Sequence, residues 1–311
     1  MDCVILTSCT NRKRVAAQER LRSVDLGQGD LDAVARAWTQ GLRTSQSITR
    51  ADFLYCGRSF RDAKGASDRI QGKLYIISAG LGLVPASAMV PSYSLTIASN
   101  SPDNVLLRVS GGATAAQWWA MLTTLSPYSE HLTTVVQKFG GHILVALPAT
   151  YLTMVAPQIE ELPGAAHRRL RIFTRMPLHS IPVALAPYTM PYDKRFDGIG
   201  APYQGTQGDF AQRALLHFVE RILLAEPRGR HETHAEAVDA FLASLRAPPI
   251  PNRRRLSDRE VIGLIHRHWD TVSGQSSRML RFLRDDLNVA CEQGRFRDLF
   301  RAAKDERRAS I

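Results

Sequence analysis

No hydrophobic run in this chain approaches the ~20 residues that a transmembrane helix needs, so a helical membrane protein is not expected. Cysteine is scarce. Cys3, Cys9, Cys56 and Cys291 show neither a Cys-x-x-Cys pair nor zinc-finger spacing, which argues against a disulfide scaffold and against structural zinc. The start, Met1-Asp2-Cys3-Val4-Ile5-Leu6, carries no basic leader and no cleavage-site pattern, and a cytoplasmic location with reduced thiols is expected. Internal repeats and low-complexity tracts are absent. Acidic residues are in deficit as well: 29 Asp and Glu stand against 40 Lys and Arg, a formal net charge of +11 over 311 residues. Such an excess favours a polyanionic partner, since each phosphate neutralised releases condensed counterions.

What is present reads as an α/β protein. Val4 to Ser8, Lys73 to Ala79, His142 to Leu147 and Leu170 to Phe173 are short apolar runs of the kind that form buried parallel strands. Ala51 to Cys56 and Ile181 to Leu185 are expected as two further strands. Thr114 to Leu125 has a helical pattern. Strands alternating with helical stretches predict a three-layer, mostly parallel sheet with helices on both faces. After about residue 205 the pattern becomes helical, which divides the chain into an α/β domain (1–204) and a helical domain (205–311).

The C-terminal helices carry their own signals. Ser257-Asp258-Arg259-Glu260 is a capping box, and Thr271 to Gln275 is a turn before a second helix near Ser276. Leu280, Leu283 and Leu287 can face a core there, while Arg278, Arg281 and Arg284 form a basic stripe. Helix, short turn and basic helix give a helix-turn-helix-like unit that can contact DNA; solvated arginines on a helical subdomain are the plainer alternative. From Pro251 onward, 14 Lys and Arg stand against 9 Asp and Glu. The prolines of Ala247 to Asn252 mark a linker before this unit.

In open α/β sheets the ligand sits beyond the carboxyl ends of the strands, which places the loops after Ser8, Ala79 and Leu147 on one rim. In Cys9-Thr10-Asn11-Arg12-Lys13, Asn11 can position a water, and Arg12 and Lys13 can hold phosphate or an anionic leaving group. An exposed polar loop is the plainer reading. Cys9 serves as a nucleophile only with a depressed pKa, and no histidine partner is visible. A Schiff-base role for Lys13 lacks a pKa-lowering environment that the sequence can show. Gly80 and Gly82 either bring backbone N–H groups close to a ligand or form a tight turn. Tyr93 either stacks on a base or joins the core. Asp193, near Arg195, and Asp209 are the best carboxylate candidates outside regular structure, although Asp209 can simply cap a helix. His231 and His234 stand three apart with no third ligand evident, so no metal site is expected.

The run Val4 to Lys13 resembles the first motif of a family of uncharacterised bacterial and phage domains. Leu54-Tyr55-Cys56-Gly57-Arg58-Ser59-Phe60, Ser78-Ala79-Gly80-Leu81-Gly82-Leu83-Val84 and Pro91-Ser92-Tyr93 resemble its later motifs, in the same order, over roughly the first hundred residues. The same strands are similar to the domain that follows the barrel in archaeosine transglycosylases, which has a uracil-DNA-glycosylase-like fold. A stand-alone, basic member resembles the antiphage DNA glycosylases of bacterial defence loci, which remove a glucosylated hydroxymethylcytosine base from phage DNA. The resemblance implies Asn11 as the water-positioning residue, with Asp193 the other catalytic candidate. A base site is expected around Cys9, Thr10, Tyr55, Arg58, Ser78, Gly80, Gly82 and Tyr93. DNA contacts would come from Arg12, Lys13, Arg195, Arg278, Arg281 and Arg284. The implied partner is double-stranded DNA carrying modified bases, with no cofactor, no membrane and no obligate protein partner. Pro148-Ala149-Thr150-Tyr151 stands where glycosylases of that fold carry His-Pro-Ser. Base exchange in deazaguanine modification, using Asp193 or Asp209 as nucleophile, and non-enzymatic DNA binding are the competing expectations.

Overall fold

A computed structural model describes residues 1–198, 200–248 and 252–309. The chain divides into two compact units, Met1–Pro248 and Pro249–Ile311. The first contains β1 (Val4–Ser8), α1 (Leu31–Thr44), β2 (Thr49–Arg50), α2 (Ala51–Leu54), α3 (Arg58–Ile70), β3 (Lys73–Ser78), β4 (Gly82–Pro85) and β5 (Met89–Val90). It continues through α4 (Ala115–Leu125), α5 (Leu132–Gln137), β6 (Ile143–Ala146), α6 (Ala149–Glu160), α7 (Gly164–His167), β7 (Leu170–Phe173), α8 (Phe210–Phe218) and α9 (His231–Ala243).

Five strands form one sheet in the order β4-β3-β1-β6-β7, parallel except for β4. Every residue of β1, β6 and β7 is buried, as expected for strands covered on both faces. The chain steps from β1 to β3 in one direction, then back across β1 to β6 and β7. Right-handed crossovers put the helices of opposite steps on opposite faces. α3, from the β1-to-β3 step, packs with α8, and α4 and α6, from the steps to β6 and β7, pack with each other; α1, although it also precedes β3, packs with α4. The mostly parallel α/β sheet expected from the sequence is present.

Two expected strands are not strands. Ala51–Leu54 is the helical turn α2, whose first N–H groups bond to Ala88 and Ala86 carbonyls. Residues 181–185 form turns, because Pro182 has no N–H to give a ladder and its carbonyl accepts from Leu185 and Ala186 instead. The break between units also falls at Pro248, within the proline linker, and not at 204. Both α8 and α9 belong to the first unit: Phe210, Ala214, Leu215, Phe218, Val238 and Leu242 are buried in its core.

The second unit contains β8 (Arg254–Arg255), α10 (Asp258–Arg267), α11 (Ser276–Asp285), β9 (Val289–Ala290) and α12 (Gln293–Ala309). Ser257 and Glu260 close the capping box of α10. Val261, Ile265, Met279, Leu283, Phe296 and Ala303 form a separate core. Residues 249–251 of the expected linker lie outside the described residues. No helix of the described residues is long and apolar enough to cross a membrane.

Candidate active site

Strand order reverses between β1 and β6, which makes the crevice beyond their carboxyl ends the place for a ligand. Gln212 of α8 reaches this crevice. Its side-chain nitrogen lies 3.1 Å from the Ala146 carbonyl at the end of β6, 3.3 Å from Thr7 Oγ1 and 3.5 Å from Ser8 Oγ at the end of β1. The Ala146 carbonyl only accepts, so the contacting atom is the amide nitrogen. Gln212 Oε1 is left buried with no partner among the described residues.

The loop after β1 is fixed by its own bonds. Thr10 Oγ1 donates to the carbonyls of Arg12 and Cys56, both at 2.9 Å, and the Cys56 N–H donates to the Arg12 carbonyl. Thr10 therefore shapes the loop. Cys9 is buried, with its sulfur 3.1 Å from the Tyr151 hydroxyl of α6. Burial, then the neighbouring Cys9, pushes the Tyr151 phenol well up. Asn11 and Arg12 are exposed, and neither side chain is hydrogen-bonded among the described residues. Asn11 and Lys13 share a small cavity of about 80 Å³ with Ser94, Thr96 and Asp103.

Lys13 is half-buried, with Nζ 4.1 Å from the centre of the Tyr93 ring and 6.0 Å from that of Tyr55. Desolvation pulls its pKa below the ordinary lysine value, opposed by Cys9 and Asp103. Beneath it, the Tyr93 hydroxyl lies 2.6 Å from Ser78 Oγ and 2.9 Å from the Tyr55 hydroxyl. Tyr55, Ser78 and Tyr93 are buried to within 1 % exposure, so none of them presents a free surface to a base. The structure makes them the platform under Lys13, and Tyr93 a core aromatic, where stacking on a base had been one expectation.

Gly80 and Gly82 form a tight turn. The N–H groups of Gly80 and Leu81 point back to Ser78 Oγ, not outward to a ligand. Carbonyls of the same turn are taken by buried donors: Ala79 by Trp118 Nε1, Gly80 by Trp38 Nε1 and Leu81 by Ser126 Oγ. A Cβ on Gly80 would stand 2.4 Å from Tyr93 Cε2, and Gly82 has φ +90°. Close packing and a left-handed turn explain both glycines.

Asp193 and Arg195 lie on the same rim but in a separate cavity of about 630 Å³ beyond the end of β7, walled also by Thr174, Met176, Met190 and Tyr192. Asp193 accepts from Arg195 at 2.9 Å, and Arg195 also approaches Asp239 at 3.8 Å. Asp209 caps the turn before α8 by accepting from the Thr206 N–H, and pairs with buried Arg213 at 2.6 Å. Arg58 reaches the Gln204 carbonyl at 3.1 Å and Asp209 at 3.9 Å.

Three residues at this rim escaped the sequence reading. Tyr151, in the first turn of α6 after Pro148, has no local pattern in the sequence that points to Cys9 as its partner. Gln212 is one polar residue in an apolar helix. Asp62, one turn into α3, is half-buried; desolvation and then Asp209 push its carboxyl up, against Arg61, Arg58 and Arg213.

In the second unit Arg278 and Arg281 are exposed and free of side-chain partners among the described residues, whereas Arg284 turns inward and donates to the Cys291 carbonyl at 2.7 and 3.0 Å. His234 spends both ring nitrogens on Arg171 and the Glu226 carbonyl. Among the described residues no group of three His, Cys, Asp or Glu is placed to hold a metal ion. No protein-family model, curated protein or solved structure matches the chain.

Proposed function

We propose that the chain is a cytoplasmic DNA glycosylase of antiphage defence. In this reading its first unit is uracil-DNA-glycosylase-like and its second unit helix-turn-helix-like. It hydrolyses the N-glycosidic bond of a glucosylated hydroxymethylcytosine in double-stranded DNA and leaves an abasic site. One observation carries the reading: a polar loop with free Asn11 and Arg12 and a partly desolvated Lys13 stands at the strand-order reversal of a parallel sheet, in a protein of net charge +11.

The chemistry assigns roles to these groups. The target nucleotide leaves the stack, and water adds its oxygen to C1′ as the C1′–N bond breaks. The bonding pair departs with the base, which gains the proton that the water loses. Asn11 holds the water. Lys13 and Arg12 offset charge on the leaving base and the flanking phosphates in a partly desolvated site. The cavity beyond β7, whose wall combines Asp193, Arg195 and Lys194 with apolar Met176, Ile181 and Met190, has room for a base that carries a sugar. Base exchange is less well supported, because Asp193 and Asp209 are both held in ion pairs.

The test is to incubate the protein with unmodified, hydroxymethylated and glucosylated phage DNA, identify released bases by mass spectrometry and count abasic sites. Free glucosylated base with matching abasic sites supports the reading. Tight binding with no release from any of the three DNAs sinks it.

A further inference from the structure

At the opposite, amino ends of the strands, where β6 and β7 begin, lies a cavity of about 560 Å³ whose wall includes His142, Arg168, Arg171, Arg228, Arg230 and His231. Arg171 is 1 % exposed. It donates to His234 Nδ1 and to the carbonyls of Leu170, Arg168 and Gly229, and to no carboxylate. Arg168, Arg228 and Arg230 are exposed, and their side chains make no hydrogen bond or ion pair among the described residues. Nδ1 of His142 and Nε2 of His231 are buried without a partner among the described residues. Among the described residues Glu232 is the single carboxylate on the wall. The thirteen-residue helix α9 starts here, and its N-cap, Arg230, supplies no side-chain cap, so the positive end of the helix adds to the guanidinium groups.

Like charges gathered in one concave site repel each other, and a buried guanidinium that has no bonded carboxylate among the described residues and only Glu232 as a nearby anion bears a desolvation cost. The same arrangement is favourable with a phosphate in place: guanidinium forks donate to its oxygens and the helix N-terminus faces it. Burial, followed by Arg171, lowers the His142 pKa to about 4 and lowers that of His231 too, so the rings add no positive charge at pH 7; Nε2 of His142 donates to the Pro227 carbonyl, and the arginines are left to hold the anion. We propose that this cavity is a binding site for a phosphate group, separate from the rim that carries Asn11 and Lys13. Its volume admits a mononucleotide, and its arginines also suit a phosphate of a nucleic-acid backbone. The inference does not depend on glycosylase activity.

The experiment titrates the full-length protein with inorganic pyrophosphate, with ATP and with a short unmodified duplex by calorimetry. Three variants are compared: Arg228→Ala/Arg230→Ala, whose side chains are exposed; Arg171→Met, which removes the buried cation; and Arg20→Ala/Arg22→Ala, which removes the same charge elsewhere. Circular dichroism checks each fold. The site predicts about tenfold or greater weakening in the first variant and none in the charge control. Loss of pyrophosphate and ATP binding identifies a free nucleotide phosphate. Loss confined to the duplex identifies the backbone. Equal affinities of the 228/230 variant and the charge control for all three probes, or no binding of any probe by the wild type, overturns the proposal.

Discussion

Lys13 Nζ stands 4.1 Å from the centre of the Tyr93 ring, and that ring is anchored by its hydroxyl to Ser78 and Tyr55. A cation held over an aromatic face in a partly desolvated site remains available to phosphate and to the charge that builds on a leaving base. Its lowered pKa gives a sign. Between the folded value and the ordinary 10.5, the unfolded chain binds more protons, so this group's contribution to stability rises with pH. Base release runs the other way and falls as Lys13 deprotonates, with an alkaline limb below 10.5. Lys13→Met should cost about a hundredfold in rate. Lys13→Arg should retain DNA binding and move the limb upward. A pH–rate profile unchanged by Lys13→Arg rules out the role. Borohydride trapping on DNA that already carries abasic sites separately reports any Schiff base at Lys13.

Gly80→Ala tests the platform beneath that lysine. The new Cβ would meet Tyr93 Cε2 at 2.4 Å, and Tyr93 is buried with no room to retreat. Overpacking of this kind costs about 1–3 kcal/mol. Urea melts should show the loss. Stability equal to wild type would mean that the turn does not support Tyr93 as described.

Cys9 and Cys56 flank the same loop but differ in exposure: Cys9 is 8 % exposed and bonded to Tyr151, while Cys56 is half-buried. Maleimide alkylation followed by peptide mass spectrometry should label Cys56 first. Tyr151→Phe removes the hydroxyl partner and should speed labelling of Cys9, with about 1 kcal/mol of stability lost. Equal labelling rates at Cys9 in wild type and variant would show that the contact does not protect the thiol.

The basic stripe of α11 separates into two kinds of arginine. Arg278 and Arg281 point outward, so changing each to alanine should weaken DNA binding and reduce the salt slope by about one per arginine, with no effect on melting. Arg284 clamps the Cys291 carbonyl, so Arg284→Ala should destabilise the second unit by about 1–2 kcal/mol. Salt-dependent binding and thermal melts of the three variants distinguish these outcomes. Equal losses of affinity at all three positions, with melting unchanged, would contradict the inward orientation.

The parallel strands were legible because both faces are covered and the runs are continuously apolar, as in Ile143–Ala146. The helices of the second unit were legible through the Ser257–Glu260 box. Ala51–Leu54 was misread because a short apolar run has no period to separate a turn of helix from a strand. The amphipathic helices α1 and α3 went unassigned, and with α3 went Asp62. Tyr93 and Tyr55 stood out by residue type, but their burial depends on Trp38 from α1 and on Ser78 and Gly80 from the end of β3 and its turn. Gln212 meets β1 from about 200 residues away, and no local pattern reports such a contact.

Asp62 gives the sharpest separation of stability from activity. Burial and the Asp209 carboxylate raise its pKa, with Arg61, Arg58 and Arg213 acting against them. A raised carboxyl means that the folded chain holds its proton at pH values where the unfolded chain, with its ordinary value of 3.8, has lost it. Stability from this group is therefore greatest below 3.8 and falls as pH rises through the folded value. Asp62→Asn removes the charged form, so it should raise the melting temperature at pH 7 and leave it unchanged near pH 3. A carboxylate with a raised pKa, beside Arg58 at the rim, is the kind of group that takes up the proton that the attacking water loses. If Asp62 does so, the stabilised Asp62→Asn protein should bind DNA normally and release base about a hundredfold more slowly. A variant that is both more stable and fully active would leave Asp62 as desolvation alone. A variant that loses stability at pH 7 would mean that Arg58 and Arg213 outweigh burial and Asp209 at this position.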